Sequence, residues 1–225
     1  MKPNVIVRSY QRPLLSSQYT FKILKDQKDI DFSDKVYLVL ANKEEYESYK
    51  PYLAEYPFKD IIYSGVGGNK AINAAIDYFP EGEPLVFMDG DLKQLMNYTN
   101  VKDRETKTKT QNLGELFEYS FQKMNETELG ATIAYNFSNR VFQEKQPFFE
   151  FKPRALGGVW WGALNSDFLK TEQSHDDDNI RTGKILSKYG GTYSMNWFEA
   201  FTQVGINIGG MQTSGDRGGN GIRFQ

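Results

Sequence analysis

The chain has 225 residues, 39% of them hydrophobic and 15% aromatic, so it can bury a substantial core and does not have a disordered composition. Its 27 basic and 29 acidic residues give a formal charge of −2, which excludes a global positive field that would attract nucleic acid. The absence of cysteine excludes disulfides, zinc–thiolate sites and thiol nucleophiles. Residues 1–7 lack a signal-peptide core and no apolar run is long enough to span a membrane, so we expect a cytoplasmic protein with no membrane contact.

The first ninety residues predict alternating strands and helices. Short apolar runs predict strands at residues 4–7, 35–41, 60–65 and 85–88. Pro13 is placed to begin the first helix, Asn42 and Glu45 form a capping box for the second, and residues 69–79 predict a third. Strand–helix repetition at this spacing predicts right-handed βαβ units and a parallel sheet.

The pattern changes after Asp91. Residues 100–112 are polar and predict a loop or flap, and residues 113–124 predict an amphipathic helix. Strands are predicted at 131–137 and 157–165, and a helix at 176–191 with aspartates at its start and glycines at its end. The glycine-rich segment from Gly205 onwards follows. No linker or repeat divides the chain, so we expect one domain.

Asp89 and Asp91 follow the fourth predicted strand and are separated only by Gly90. In a parallel sheet, ligands bind at the carboxyl ends of the strands, and the loops "RSYQRP" (8–13) and "SGVGGN" (64–69) end at the same edge. Two carboxylates this close repel each other unless a cation or a proton intervenes, and oxygen ligands suit Mg²⁺ or Mn²⁺. His175, the only histidine, is a further candidate ligand. An ordinary Asp-Gly turn with solvated carboxylates is the alternative.

The strand, the "SYQRP" loop, the βαβ steps and "FMDGD" resemble the nucleotide-sugar half of a GT-A glycosyltransferase. The stretch "LGGVWWGALNSDFLK…SHDDDNIRTGKILSKYGG" is similar to the family's glycine segment and the acidic motif that opens a helix. Within that superfamily, the compact length and the late Gly/Arg segment resemble the phage DNA-base glycosyltransferases of the TET-associated group. The resemblance implies a GT-A-like three-layer α/β/α fold with a mainly parallel central sheet. Residues 1–92 would bind the nucleotide sugar, and residues 93–225 would bind the acceptor.

The resemblance also implies residue roles. The reaction would be a metal-dependent, inverting transfer of a sugar from a nucleoside-diphosphate sugar, a UDP-sugar above all, to an acceptor hydroxyl. Asp91, with Asp89, would hold Mn²⁺ or Mg²⁺, and Asp177 or its neighbour Asp176 would remove the acceptor proton. One of Trp160 and Trp161 would be core, and the other would stack on the sugar or acceptor base. The donor would contact Arg8, Ser9, Tyr10, Arg12, Gly67, Gly68, Asn69, Lys70, Asn73, Asp89, Gly90, Arg217 and Arg223.

The sequence is compatible with more than one acceptor and with more than one reaction class. A hydroxymethylated DNA base, or a sugar on it, would be met by basic stretches that are otherwise solvated loops, namely Lys102, Arg104, Lys107 and Lys109, and Lys152 with Arg154. A polysaccharide or a protein is the other acceptor class. A nucleotidyltransferase shares the sheet, but the first loop lacks the glycine-rich, lysine-bearing signature of that class. A binding module of the same fold without catalysis is the third alternative.

Overall fold

The computed structural model describes residues 2–98, 107–109, 112–126, 133–135, 149–156, 159–172, 176–196 and 198–202. Its first part alternates strands and helices as the sequence predicts. The strands are β1 (Asn4–Arg8), β2 (Val36–Leu40), β3 (Asp60–Tyr63) and β4 (Pro84–Asp89). The helices are α1 (Pro13–Ser16), α2 (Lys22–Lys25), α3 (Phe32–Lys35), α4 (Lys43–Leu53) and α5 (Gly68–Tyr78), and a π-helical turn at Ser17–Phe21 joins α1 to α2.

The second part mixes both strand directions. Its helices are α6 (Leu113–Glu126) and α7 (Asp177–Tyr189), with a 3₁₀ turn at Asp167–Leu169. Its strands are β5 (Gln94–Tyr98), β6 (Lys107–Lys109), β7 (Ile133–Tyr135), β8 (Phe149–Lys152), β9 (Trp160–Leu164), β10 (Thr192–Met195) and β11 (Phe198–Phe201). The sequence patterns predict α6, α7, β7 and β9 but not the other strands. The prediction of a loop over 100–112 is wrong at Lys107–Lys109, which form β6. Among the described helices, none combines the length and the apolar character needed to cross a bilayer.

Eight strands form one sheet in the order β3-β2-β1-β4-β9-β7-β10-β8. Strands β3, β2, β1 and β4 run parallel, β9 runs antiparallel between β4 and β7, and β10 is parallel to β7. The carboxyl ends of β1, β4, β7 and β10 therefore share one edge. A second, antiparallel sheet, β11-β5-β6, begins shortly after Asp91. The mostly parallel central sheet of a mixed α/β fold confirms the predicted fold class.

The composition of the core explains why the strands of the first half can be predicted from the sequence. Central parallel strands are covered on both faces and read as continuous apolar runs. Every residue of β2 is buried, and so are the four residues of β1 that precede Arg8. Helix α5 packs its apolar stripe, which includes Ile72, Ala75 and Ile76, into this core.

The structure corrects the expectation that one of the two tryptophans of β9 presents its ring to a ligand. Trp160 and Trp161 face opposite sides of the sheet, and both are 0% exposed. Trp161 stacks on Phe87 of β4 with ring centres 4.3 Å apart, and Trp160 packs edge-on against Phe117 of α6 at 5.8 Å. Neither ring is available for stacking on a sugar or a base, because helices and strands cover both faces of β9.

Candidate active site

The Asp89–Asp91 turn lies at the carboxyl end of β4, and Thr20 of the π-helical turn holds it in place. The Thr20 hydroxyl donates to the Asp89 carbonyl at 2.7 Å and accepts from the Leu92 amide at 2.9 Å, so one side chain bridges both sides of the turn. The Gly90 amide donates to the Arg8 carbonyl at 2.8 Å. A Cβ added at Gly90 would lie 2.7 Å from the hydroxyl oxygens of Ser9 and Ser16, so glycine is needed for close approach.

Each aspartate of the turn is paired with an arginine from the end of β1 or the loop after it. Arg8 is aligned with Asp89 in the β1–β4 register, and its Nη2 lies 2.5 Å from Asp89 Oδ1. Arg12 follows in the loop, and its Nη1 lies 2.5 Å from Asp91 Oδ2. The like charges of the two carboxylates are therefore offset within the fold.

Burial and charge shift the titration of the first pair. Desolvation is the largest influence on Asp89 and raises its pKa to about 6, although Arg8 and Arg12 act in the opposite direction. The Arg8 guanidinium loses solvation on burial, yet the carboxylates of Asp89, Asp178 and Asp177 raise its pKa above the ordinary value. The start of α7 therefore shares an electrostatic environment with the end of β1.

The two aspartates that open α7 have different surroundings. Asp177 is buried, and its Oδ2 lies 3.4 Å from Nη1 of Arg181, a side chain with no solvent exposure. The Asp178 side chain is 38% exposed and lies 3.5 Å from the same guanidinium. Burial, followed by the charge of Asp177, raises the pKa of Asp178, while Arg8 and Arg181 oppose the shift. Of the two, Asp178 is the carboxylate with solvent access.

Arg181 anchors this helix. Its Nε donates to the Leu169 carbonyl at 3.0 Å, and its guanidinium carbon lies 5.2 Å from the centre of the Trp161 ring. Asp176, the alternative proton acceptor in the sequence prediction, precedes the helix with φ 71° and is exposed. Its side chain makes no capping hydrogen bond. An aspartate tolerates this left-handed conformation better than most residues.

Asn69 and Asn73, predicted to line the ribose, hold the segment that precedes α7 instead. Asn73 Nδ2 donates to the Thr171 carbonyl at 2.8 Å, and its Oδ1 accepts from the Thr171 amide at 3.1 Å. Asn69 Nδ2 donates to the Glu172 carbonyl at 3.1 Å and is 4% exposed. The two amides therefore connect α5 to the segment that precedes α7.

Buried hydroxyl groups and the Glu45 carboxylate hold the loop after β1 by hydrogen bonds. The Ser9 hydroxyl, predicted to border the nucleobase, is buried at 2.6 Å from both Ser16 Oγ and the Tyr49 hydroxyl. The Glu45 carboxylate accepts from the amides of Gln11 and Ala41, each at 2.6 Å, and only the Asn42 half of the predicted capping box forms.

Among the described residues, the others predicted to contact the donor make no hydrogen bond that would test that role. Tyr10 is half-buried, with its hydroxyl 3.1 Å from Gln11 Nε2. Gly67 adopts φ 131° immediately before α5, and Lys70 is exposed in the first turn of that helix. His175, Arg217 and Arg223 lie outside the described residues. Roles for all of these remain predictions.

The donor atoms of the turn fit a divalent cation that arrives with a phosphate ligand. Asp89 and Asp91 supply carboxylate oxygens, which Mg²⁺ and Mn²⁺ prefer. Within the part of the chain that the structure describes, no group of three or more histidine, aspartate or glutamate side chains is arranged to hold a metal. Water and diphosphate oxygens would complete the coordination, as magnesium sites commonly require.

Comparison with known proteins places this site in a recognised fold. Neither a family model nor a curated protein matches the sequence. S. aureus TarS 1-349 in complex with UDP-GlcNAc matches with a TM-score of 0.54 at 16% identity, covering 91% of this chain and 60% of that chain. The mannosyltransferase PcManGT from Pyrobaculum calidifontis, in complex with GDP-Man and Mn²⁺, matches with a TM-score of 0.52 at 15% identity, covering 84% and 53%. The chain has the GT-A glycosyltransferase fold. It spans 60% or less of the length of these structures.

Three residues shape the site but are not predicted from the sequence. Asp178 belongs to the acidic motif at residues 176–178, but the sequence does not fix the helical register that brings its charge close enough to act on Arg8. Arg181 lies one helical turn beyond Asp177, and that spacing alone could have suggested an ion pair. Thr20 offered no signal, because its role depends on the π-helical turn and on a partner turn far along the chain.

Proposed function

We propose that the protein is a metal-dependent glycosyltransferase that moves a sugar from a nucleoside-diphosphate sugar to an acceptor hydroxyl. The observation that carries this proposal is the Asp89–Asp91 turn at the carboxyl edge of a GT-A sheet, with the acidic start of α7 electrostatically coupled to it. The neighbours in complex with UDP-GlcNAc and with GDP-Man and Mn²⁺ support a nucleotide-sugar donor and a divalent cation.

In this proposal each charged residue of the site has a role that follows from its position. Asp89 and Asp91 would hold the cation, which neutralises charge on the departing nucleoside diphosphate. Arg8 and Arg12 place additional positive charge beside the same phosphates. Asp178, which is accessible, takes the proton from the acceptor hydroxyl as the oxygen attacks the anomeric carbon. Asp177, the base favoured by the sequence motif, instead orients the helix through Arg181.

A single displacement of this kind inverts the anomeric configuration. Residues 1–92 form the donor half and residues 93–225 the acceptor half of one domain. The acceptor suggested by the sequence resemblance is a hydroxymethylated pyrimidine in phage DNA, or a sugar attached to it. Polysaccharide and protein hydroxyls are the competing acceptors. Action in the cytoplasm stays a prediction.

The test is nucleoside-diphosphate release from a panel of UDP- and GDP-sugars, with Mn²⁺ and with EDTA. A duplex that carries hydroxymethylcytosine and simple glycans serve as acceptors. We expect Mn²⁺-dependent release with one donor, loss of donor binding in Asp91→Asn, and an inverted product anomer by NMR. Donor binding without release by any acceptor would favour a non-catalytic module, and pyrophosphate formation from a nucleoside triphosphate and a sugar phosphate would favour a nucleotidyltransferase.

A further inference from the structure

A second polar cluster lies at the far end of the large sheet, away from the Asp89–Asp91 turn. Strand β10 alternates buried polar and apolar residues, so Ser194 and the following Asn196 face one side of the sheet. Strand β8 pairs with β10 antiparallel, with Glu150 opposite Ser194. Arg154, just beyond β8, extends along this same side. We call these residues the β8–β10 cluster: Glu150, Lys152, Arg154, Ser194 and Asn196.

The acidic member of the cluster is occupied by its neighbours. Glu150 Oε2 lies 2.6 Å from Lys152 Nζ and accepts from Asn196 Nδ2 at 3.3 Å. Lys152 is the main cause that lowers the pKa of Glu150 below its ordinary value. Glu150 forms its close ion pair with Lys152 and acts on Arg154 only at longer range, so the cluster carries one more positive than negative charge.

Arg154 is held only by neutral groups. Its Nη1 donates to Ser194 Oγ at 3.0 Å and to Asn196 Oδ1 at 3.2 Å. Among the described residues, its Nε and Nη2 have no hydrogen-bond partner, and neither atom is fully enclosed. The side chain is half-buried, and this desolvation lowers its pKa, although the charge of Glu150 acts in the opposite direction. A partly desolvated guanidinium without a carboxylate contact is unfavourable until an anion pairs with it.

Ser194 and Asn196, which Arg154 contacts, lie toward the carboxyl end of β10, at the edge of the sheet that also carries the Asp89–Asp91 turn. Because β10 runs in the direction of β4 with two strands between them, their carboxyl ends lie roughly 14 Å apart at ~4.8 Å per strand. The Leu156 amide donates to Thr182 Oγ1 of α7 at 3.0 Å, which brings the segment after β8 beside the acidic helix. From Asn196 the chain passes through β11 to Thr202, whose hydroxyl donates to the Asp91 carbonyl at 3.3 Å.

We propose that Arg154, oriented by Ser194 and Asn196, binds a phosphodiester group of the acceptor. The inference rests on the proposed function, because the bound polymer would present its hydroxyl to Asp178. A planar guanidinium whose Nε and Nη2 have no hydrogen-bond partner among the described residues can pair with two oxygens of one phosphate. The separation of roughly 14 Å corresponds to about four nucleotides of duplex DNA. A neutral glycan offers no partner for this charge.

The test measures anisotropy of fluorescent probes on the full chain: a short duplex, a polyphosphate, and a neutral glucan of similar length. The variants are Arg154→Gln, Arg154→Lys, and the control Lys188→Gln, which removes the same charge from an exposed position at the other end of α7. We expect Arg154→Gln to weaken phosphodiester binding about tenfold and to reduce the salt slope of log K by about 1. Arg154→Lys should keep the slope and lose part of the affinity. The duplex and the polyphosphate distinguish a nucleic acid from another phosphate polymer.

Two results would overturn the inference: a wild-type protein that binds neither the duplex nor the polyphosphate, and an Arg154→Gln variant that binds them as Lys188→Gln does. UDP binding, measured separately by calorimetry, tests the proposed function on its own. A wild-type protein that does not bind UDP would refute donor binding, whereas the result with the anionic probes would stand. If Arg154→Gln does not fold, the affinity of Arg154→Lys relative to the control decides the question.

Discussion

The guanidinium of Arg12 and the carboxylate of Asp91 form an ion pair with Nη1 and Oδ2 2.5 Å apart, and their side chains are only 14% and 10% exposed. The pair joins the loop after β1 to the turn after β4. The carboxylate expected to bind a cation therefore already has a counter-ion within the fold. A divalent cation and Arg12 compete for the same oxygen atoms.

This competition predicts that Arg12→Gln raises the affinity for Mn²⁺ in the absence of nucleotide. Removing the guanidinium removes a competitor for the Asp91 carboxylate, and we expect the affinity to rise about tenfold, which corresponds to about 1.4 kcal/mol. Free Mn²⁺ measured by electron paramagnetic resonance reports the affinity. Arg12→Lys is the matched control, because it keeps the charge and should bind Mn²⁺ as the wild type does. Unchanged Mn²⁺ binding in Arg12→Gln would show that the cation does not use Asp91.

The two aspartates at the start of α7 should have different effects when they are replaced, one on kcat and the other on the free energy of unfolding. Asp178→Asn should reduce kcat by at least 100-fold, because general base catalysis contributes about 10² to 10⁴, and should leave donor KM unchanged. Asp177→Asn should instead lower the free energy of unfolding by about 1–3 kcal/mol, because the buried Arg181 then keeps only the partly exposed Asp178 as a nearby anion. Steady-state kinetics and urea unfolding of both variants check this. The base assignment fails if Asp178→Asn retains wild-type kcat.

The four strands and three of the helical segments of the first half could be predicted because their signals are local, whereas α3 and the π-helical turn were not predicted. A strand covered on both faces, such as β2, reads as an apolar run, and Pro13 and Asn42 mark helix starts. The second half depends on partners distant in sequence. Strands β5 and β11 pair with each other across about a hundred residues, and neither run alternates clearly enough to show it.

The sequence indicates the Asp89–Asp91 turn and the start of α7 as candidate sites, but it does not show which carboxylate of α7 is accessible to solvent. A helix rotates by about 100° per residue, so the choice between Asp177 and Asp178 depends on where α7 begins, and no motif fixes that register. The tryptophans show a related limit. Alternation places Trp160 and Trp161 on opposite faces, but only the packing of Arg181 of α7 over Trp161 and of Phe117 of α6 against Trp160 reveals that both faces are covered.

The Asn73 contacts predict a structural role for a residue that the sequence assigned to the donor. Asn73→Ala breaks the paired bonds to the Thr171 backbone, and we expect a loss of about 1–3 kcal/mol because the Thr171 groups lose their partners. The UDP dissociation constant should not change. Asn179→Ala, at an exposed position of α7, is the control and should leave stability within about 0.5 kcal/mol. A variant with normal stability and weakened UDP binding would restore the ribose assignment.

The raised pKa of Asp89 predicts a pH-dependent stability of the metal-free protein. Its folded value of about 6 exceeds the ordinary 3.8, so the folded state binds a proton more tightly than the unfolded state does. This contribution is present in full below pH 4 and is lost as the pH rises through about 6. The difference in unfolding free energy between wild type and Asp89→Asn should therefore shift in favour of the wild type on acidification from pH 7 to 4. Urea titrations in EDTA measure it, and a constant difference would contradict the shift.

Two glycines of the same chain predict opposite effects of one added methyl group. Gly90→Ala places a Cβ 2.7 Å from the Ser9 and Ser16 hydroxyls, and overpacking of this kind destabilises by about 1–3 kcal/mol. Because Gly90 separates Asp89 from Asp91, the displaced turn should also weaken Mn²⁺-dependent donor binding. Gly183→Ala, in the interior of α7 with no atom within 4 Å of the new Cβ, should stabilise by about 1 kcal/mol and leave donor binding unchanged. Urea unfolding and calorimetry with UDP and Mn²⁺ measure both effects. Wild-type stability and donor binding in Gly90→Ala would mean that the turn tolerates a side chain and that the serine hydroxyls do not constrain the two carboxylates.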